Sequence, residues 1–354
     1  MSSSKRALVV TIFYRSRPVT SLQASDSRYL AQLHQDPAAA SSFIAETITH
    51  DLRSSMPQFY PVTIRRNMFL SPTVVRLNYT LSGQPENFNL LPHQFTSLER
   101  VISCEIIVDF LPHSLTLRPI TFETPCPRFK LAVFDMDSTL IDQEVIDELA
   151  RSIGLVSAVS AITARAMNGE IDFSQSLIER VALLKGVRAD VWDSLKIDGS
   201  ITIAKGAREL VSGLKAMGVK TAVVSGGFLP MASWLKEQLG LDYAFANHLL
   251  VSPPTEEVPY EHLSGLVDLE KGIVDAEEKR RVLLRLAKEE GVDVGQTIAV
   301  GDGSNDLLMM GAAGFGVAWR AKAKVQEKAP GRLNGESLDE LLHLFGRDAE
   351  WYEA

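Results

Sequence analysis

Acidic and polar residues recur in this chain where a short apolar run stops. Leu131 to Phe134 leads into Asp135-Met136-Asp137-Ser138-Thr139-Leu140, so two carboxylates stand two residues apart at the end of a strand and both can face one cavity. Thr221 to Val224 is followed by Ser225-Gly226-Gly227-Phe228, where a hydroxyl and glycine-permitted backbone amides can hold phosphate oxygens. Ile298 to Val300 ends in Gly301-Asp302-Gly303-Ser304-Asn305-Asp306, and hard oxygen ligands near a phosphate suit Mg²⁺. Phosphoryl transfer from a stable monoester needs an in-line nucleophile, a proton donor for the leaving alcohol and cations on the charged oxygens. A carboxylate pair with a metal can supply all three. Each motif alone also has a plain alternative. Paired acids occur on solvated turns, Ser-Gly-Gly makes turns, and Lys279, in Glu277-Glu278-Lys279-Arg280-Arg281, reads equally as a solvated helix start.

The elements that must position these residues are short apolar strands, 131–134, 221–224, 298–300 and 314–318, separated by amphipathic helices. This pattern predicts a parallel sheet covered on both faces. Between the first two strands, residues 144–195 are rich in helix formers and are expected to form a helical cap over the carboxyl ends of the strands. A second excursion, 245–275, with prolines at 253, 254 and 258, is expected to form a hairpin-like flap. Two domains are expected, 1–125 and 126–350, joined by the proline-punctuated segment 119–127.

Set in this frame, Asp135 to Thr139, DMDST after an apolar strand, resembles the nucleophile motif of the haloacid dehalogenase superfamily, and its Ser-Thr ending resembles the phosphoserine phosphatase branch. Ser225-Gly226-Gly227 looks like the second motif of that superfamily. Gly272 to Ala276 is similar to the segment that delivers the third-motif lysine, and Gly301 to Asp306 is similar to the fourth, with Ser304 where the family usually has alanine. The resemblance implies a Rossmann-like α/β core with a helical cap. It makes Asp135 the residue that is phosphorylated, and Asp137 first the acid for the leaving oxygen and then the base for water. Lys279 becomes the cation on the phosphate, with Arg280 in reserve should the alignment slip by one. Mg²⁺ would be held by Asp135, the Asp137 backbone carbonyl and Asp302, with Asp306 orienting the metal's water shell and Asn305 touching phosphate or cap. Glu144 and Arg180 resemble the residues that take a substrate ammonium and carboxylate, and Met167 and Phe173 those that close over the site. The implied substrate is O-phospho-L-serine. The alternatives are another small phosphate, such as phosphohomoserine or phosphothreonine, or a regulatory protein with a vestigial site.

The remaining features bound the class. A chain of 354 residues with 45% hydrophobic residues has material for large cores, and a formal net charge of -8 argues against nucleic acid or an anionic membrane as partner. The two cysteines, Cys104 and Cys126, form no Cys/His cluster. The apolar run from Ala7 to Tyr14 is too short for a membrane span and reads as a strand, so a cytoplasmic protein is expected. Ahead of the phosphatase-like part, the expected order is strand 7–14, helix 38–53, strands 59–67 and 74–81, helix 93–101 and strand 104–110, with a loop over 15–37. That is the order of a ferredoxin-like α+β domain, similar to the ACT type. It would bind an amino-acid effector or serve packing, as in a homodimer.

Overall fold

The computed structural model describes residues 5–14, 63–71, 74–82, 104–111 and 129–345. The chain divides into two compact units, one of residues 1–128, 322–334 and 341–354, the other of 129–321 and 335–340.

In the first unit, β1 (Lys5–Tyr14), β2 (Thr63–Ser71), β3 (Val74–Ser82) and β4 (Cys104–Leu111) form one antiparallel sheet in the order β2-β3-β1-β4. Val10 on β1 stands opposite Leu77 on one side and Val108 on the other. β2 runs later than the expected 59–67. It continues to Ser71, directly before Pro72, a residue that cannot donate to a ladder. The expected helices 38–53 and 93–101, the loop 15–37 and the linker 119–127 lie outside the described residues.

In the second unit, β5 (Leu131–Phe134), β6 (Lys220–Phe228), β7 (Tyr243–Asn247), β10 (Thr297–Gly301) and β11 (Phe315–Trp319) stand side by side in the order β11-β10-β5-β6-β7, every pair parallel. All residues of β5, β10 and β11 are buried, as strands covered on both faces must be. Helices α5 (Ala207–Ala216) and α6 (Leu229–Leu239) pack on β6. The longer α7 (Ala276–Glu289) packs on α8 (Leu307–Ala312), which lies on β10 and β11. From β5 the chain passes to β6 on one side, while β10 closes the other. The crevice beyond the carboxyl ends of these three strands is therefore a topological switch point, where open α/β sheets bind ligands.

Between β5 and β6 lie α1 (Val145–Ser152), α2 (Val156–Met167), α3 (Phe173–Ala182) and α4 (Val191–Ile197), in which α1 packs on α2 and α4, and α2 on α3. Their shared core includes Leu149, Val159, Leu177, Val181 and Trp192. A capping box fixes the start of α3, the Asp172 carboxylate accepting from the Gln175 N–H while the Gln175 side chain accepts from the Asp172 N–H. Within the excursion after β7, β8 (Leu249–Ser252) and β9 (His262–Val267) form an antiparallel hairpin.

One local reading is corrected. The expected strand stopped at Val224 and gave way to a turn, but β6 continues to Phe228, with a register slip against β7 between Val224 and Phe228. Two glycines let the backbone bulge without ending the strand. The helix begins at Leu229, with Pro230 in its first turn.

Candidate active site

The three strand ends deliver three motifs to one place. Asp135 follows β5, its N–H bonded to the Val300 carbonyl of β10 at 2.9 Å. Beyond it the chain turns sharply through Ser138, which has a left-handed φ of 54°. This turn brings Asp137 back, where its carboxylate accepts from the Val145 N–H at the start of α1 at 3.2 Å. The Asp137 carboxyl is held well above the usual range, by burial first and then by the charges of Glu144 and Asp135. A carboxyl pKa raised in this direction is what a general acid requires.

Lys279 lies in the first turn of α7 on the stripe that carries Val282, Leu283 and Leu286 into the core, so the helix period aims it inward. It is fully buried, its Nζ donating to Asp135 Oδ1 at 2.6 Å and to Asp306 Oδ1 at 2.7 Å. Burial alone would lower its pKa, but the two carboxylates outweigh it and hold the amine above the ordinary lysine value. Arg280, the reserve candidate, points elsewhere and pairs with Glu277.

Carboxylate oxygens of Asp135, Asp302 and Asp306 all lie within 4.8 Å of one another. Burial, then the neighbouring carboxylates, pushes Asp302 and Asp306 up to about 7. Such crowding suits a bound positive charge, and an all-oxygen donor set fits a hard divalent cation. A Cβ at Gly301 would collide with Asp306 down to its Cβ, and one at Gly303 would displace the Asn305 amide, while the Gly303 N–H donates to Asp306 Oδ2 at 3.0 Å.

The Ser225-Gly226-Gly227 bulge is equally tight. Ser225 is buried and its Oγ accepts from the Gly227 N–H at 2.8 Å. A Cβ on Gly227 would stand 2.9 Å from Asp137 Oδ2, and one on Gly226 would stand 2.9 Å from Cζ of Phe173. Phe173 of α3 is thus laid over the phosphate-loop candidate. Asn247 went unnoticed in the sequence, yet it is fully buried. Its Nδ2 donates to the Gly226 carbonyl and its Oδ1 accepts from the Val274 N–H, both at 2.8 Å. It ties the glycine bulge to the segment that leads into Lys279. No local motif marks it, since both partners come close only in the fold.

Glu144 and Arg180 also converge here. Glu144 precedes α1 and accepts from Ser138 Oγ at 2.9 Å rather than capping the helix. Its carboxyl is raised, by desolvation in the cleft first, although the side chain still reaches solvent. The Arg180 guanidinium is lowered, again by burial first, with Asp147, Glu144 and Asp137 opposing. Its Nε donates to the Ser176 carbonyl one turn back, while its terminal nitrogens make no hydrogen bond among the described residues. Asn305 is half-buried beside Gly303. Met167, at the end of α2, is 70% exposed.

Residues 129–314 match the family model described as "Hydrolase: haloacid dehalogenase-like hydrolase". Over 234 residues, 66% of this chain, it is 47% identical to a probable phosphoserine phosphatase of Schizosaccharomyces pombe, covering 74% of that protein. Over 223 residues, 63% of the chain, it is 45% identical to a phosphoserine phosphatase of Archaeoglobus fulgidus, covering 61% of it, under two thirds of that relative's length. A solved structure, the phospho-aspartyl intermediate analogue of a phosphoserine phosphatase, aligns with a TM-score of 0.53 and 40% identity over 61% of this chain and 99% of the other. The matched stretch carries Asp135, the glycine bulge, Lys279 and the Asp302–Asp306 loop, and the chain belongs to the haloacid dehalogenase-like hydrolases.

Proposed function

We propose that this protein hydrolyses O-phospho-L-serine to L-serine and phosphate, a last step of serine formation, through a phosphoaspartyl enzyme at Asp135. The proposal rests above all on Lys279, buried and held at 2.6 Å from Asp135 and 2.7 Å from Asp306. A cation fixed there offsets charge on a transferring phosphoryl group and on the attacking carboxylate. Asp135 Oδ forms the bond to phosphorus as the bond to the serine oxygen breaks, and protonated Asp137 gives its proton to that oxygen. Asp137, now ionised, takes a proton from water attacking the acyl phosphate, which frees phosphate and restores Asp135. Ser225 and the bulge amides hold the phosphate oxygens, and Asn305 borders them.

Mg²⁺ would be held by Asp135, Asp302 and the Asp137 carbonyl, with Asp306 behind them, and would supply charge neutralisation of the phosphate. Glu144 takes the substrate ammonium, the unengaged fork of Arg180 its carboxylate, and Phe173 with Met167 closes the cap. The related phosphoserine phosphatases support this choice over phosphohomoserine or phosphothreonine. The strand order of the first unit is the one a ferredoxin-like chain gives, which supports an ACT-like amino-acid-binding or dimerising role. The protein acts in the cytoplasm. Among the described residues no helix is long and apolar enough to cross a membrane.

The test is Mg²⁺-dependent phosphate release from L-phosphoserine beside phosphothreonine, phosphohomoserine and a sugar phosphate, with Asp135→Asn as control. Selective turnover of L-phosphoserine, lost on chelation and in the variant, is the expected result. Preference for another ester would overturn the substrate, and turnover by Asp135→Asn would overturn the nucleophile.

A further inference from the structure

Both non-glycine residues with left-handed backbone among the described residues, Ser138 (φ 54°) and Arg320 (φ 46°), border one cavity. It measures about 210 Å³ and is lined by Ser138, Thr139, Asp142, Lys205, Trp319, Arg320 and Glu336, with Ala204. None of the groups assigned to phosphate or metal belongs to it. Thr139 is fully buried at its edge, and its Oγ1 makes no hydrogen bond among the described residues. A buried hydroxyl without a partner costs about 1–3 kcal/mol, so the fold around the cavity holds Thr139 at a cost. Backbone strain of this kind persists where surrounding structure imposes it, commonly at ligand clamps.

The charges around the cavity select its occupant. Lys205 and Arg320 form no ion pair or hydrogen bond through their side chains among the described residues. Opposite charge comes from Glu336 and from Asp142, whose Oδ2 already accepts from Thr202 Oγ1 at 2.8 Å. Two exposed cations and two exposed carboxylates around one cavity give a lining with no net charge, which repels a dianion such as phosphate as much as it attracts it. The same lining neutralises both ends of a zwitterion. The volume falls below the ~300–1,000 Å³ of drug-sized sites, so the occupant has few heavy atoms.

We propose that this cavity is a second small-molecule site for a small zwitterion of the α-amino-acid class. The carboxylate of the ligand lies against Lys205 and Arg320, and its ammonium against Glu336 and Asp142. Because Ser138 and Thr139 belong to the loop that carries Asp137, occupancy is felt at the candidate active site.

Trp319 lines the cavity and is 3% exposed, which provides an optical probe. The full-length protein is titrated with glycine while tryptophan emission is followed, with calorimetry in parallel. A saturable response is expected, with acetate and methylamine, each carrying one of the two charges, binding at least about tenfold more weakly, a difference of about 1.4 kcal/mol. Lys205→Met and Arg320→Gly should each weaken glycine by at least about tenfold. Arg320→Gly removes the cation at a left-handed position that glycine adopts freely, so a folding defect is not expected to mask the result. Trp319→Phe should remove the emission change and keep the heat, and Glu144→Gln should leave glycine affinity intact. The proposal is overturned if glycine gives no saturable response, if acetate or inorganic phosphate binds as well as glycine, or if both cation variants bind glycine normally. The readout is binding, so the outcome does not depend on which phosphate ester the protein hydrolyses.

Discussion

Lys279 stays charged inside the protein because Asp135 and Asp306 both touch its amine. A lysine at that depth without them would lose its proton. Replacing it by methionine keeps the aliphatic stem and leaves two carboxylates facing each other with no cation. Breaking a buried pair in this way costs about 3–5 kcal/mol, so urea unfolding of Lys279→Met should show a loss of that size at pH 8 together with loss of phosphate release. Unchanged stability would mean that the lysine is not paired in solution. Asp302 carries the complementary prediction. It faces Asp135, Asp306 and Glu144 against the single cation Lys279, and is pushed up to about 7, as is Asp306. The metal-free native state then binds more protons than the unfolded chain between the ordinary aspartate value near ~3.9 and about 7. In the metal-free protein these groups therefore favour folding at low pH, and their contribution is lost as pH rises through that window. Mg²⁺ must displace those protons, so the rise in melting temperature on adding Mg²⁺ should be larger at pH 8 than at pH 6. An equal rise at both values would show that Asp302 and Asp306 are already ionised.

At the scale of elements, the glycine bulge of β6 sets the distances. A methyl on Gly227 meets Asp137 and the Ser225 hydroxyl, so Gly227→Ala should lower kcat by about a hundredfold, the cost of displacing a reacting group by about an ångström, with little change in KM. A methyl on Gly226 meets the Phe173 ring instead and should act mainly on KM by lifting the cap. Steady-state kinetics on the two variants separates these roles, and identical effects would refute the assignment. Asn247 holds the same bulge from below. Asn247→Ala leaves the Gly226 carbonyl and the Val274 N–H without their partner, at about 1–3 kcal/mol for each buried group, measurable by denaturant unfolding. The strands were legible because residues buried on both faces read as unbroken apolar runs, as Leu131 to Phe134 does. The continuation of β6 through Ser225-Gly226-Gly227 was not, since glycine is a turn signal unless a neighbouring strand holds the bulge. Asn247 was invisible for a related reason. Its partners lie 21 and 27 residues away, and no periodicity encodes that meeting.

For the molecule as a whole, the proposed recognition depends on Glu144 and Arg180 bringing opposite charges to one cleft. Asp135, Asp137 and Asp302 follow apolar strands legible in the sequence, whereas Lys279 was singled out by the resemblance of the segment before it; the structure brings all four side chains into electrostatic reach of one another. Glu144 and Arg180 could be named only by resemblance, as their helices do not show which side faces the core. The structure adds that Arg180 lies within electrostatic reach of Glu144 and Asp137 and that Glu144 bonds Ser138 in the nucleophile loop. If these two residues read the amino-acid part of the substrate, Arg180→Met should raise KM for L-phosphoserine about 10–100-fold, the worth of a charge-assisted bond of about 1.5–3 kcal/mol. Glu144→Gln should act in the same direction with a smaller effect. Neither change should alter kcat/KM for phenyl phosphate, which has the ester but neither ammonium nor carboxylate. Measuring both esters with each variant and with the double variant distinguishes recognition from folding. A structural role would weaken turnover of the two esters alike, whereas recognition removes the advantage of L-phosphoserine and leaves the phosphatase chemistry of Asp135 in place.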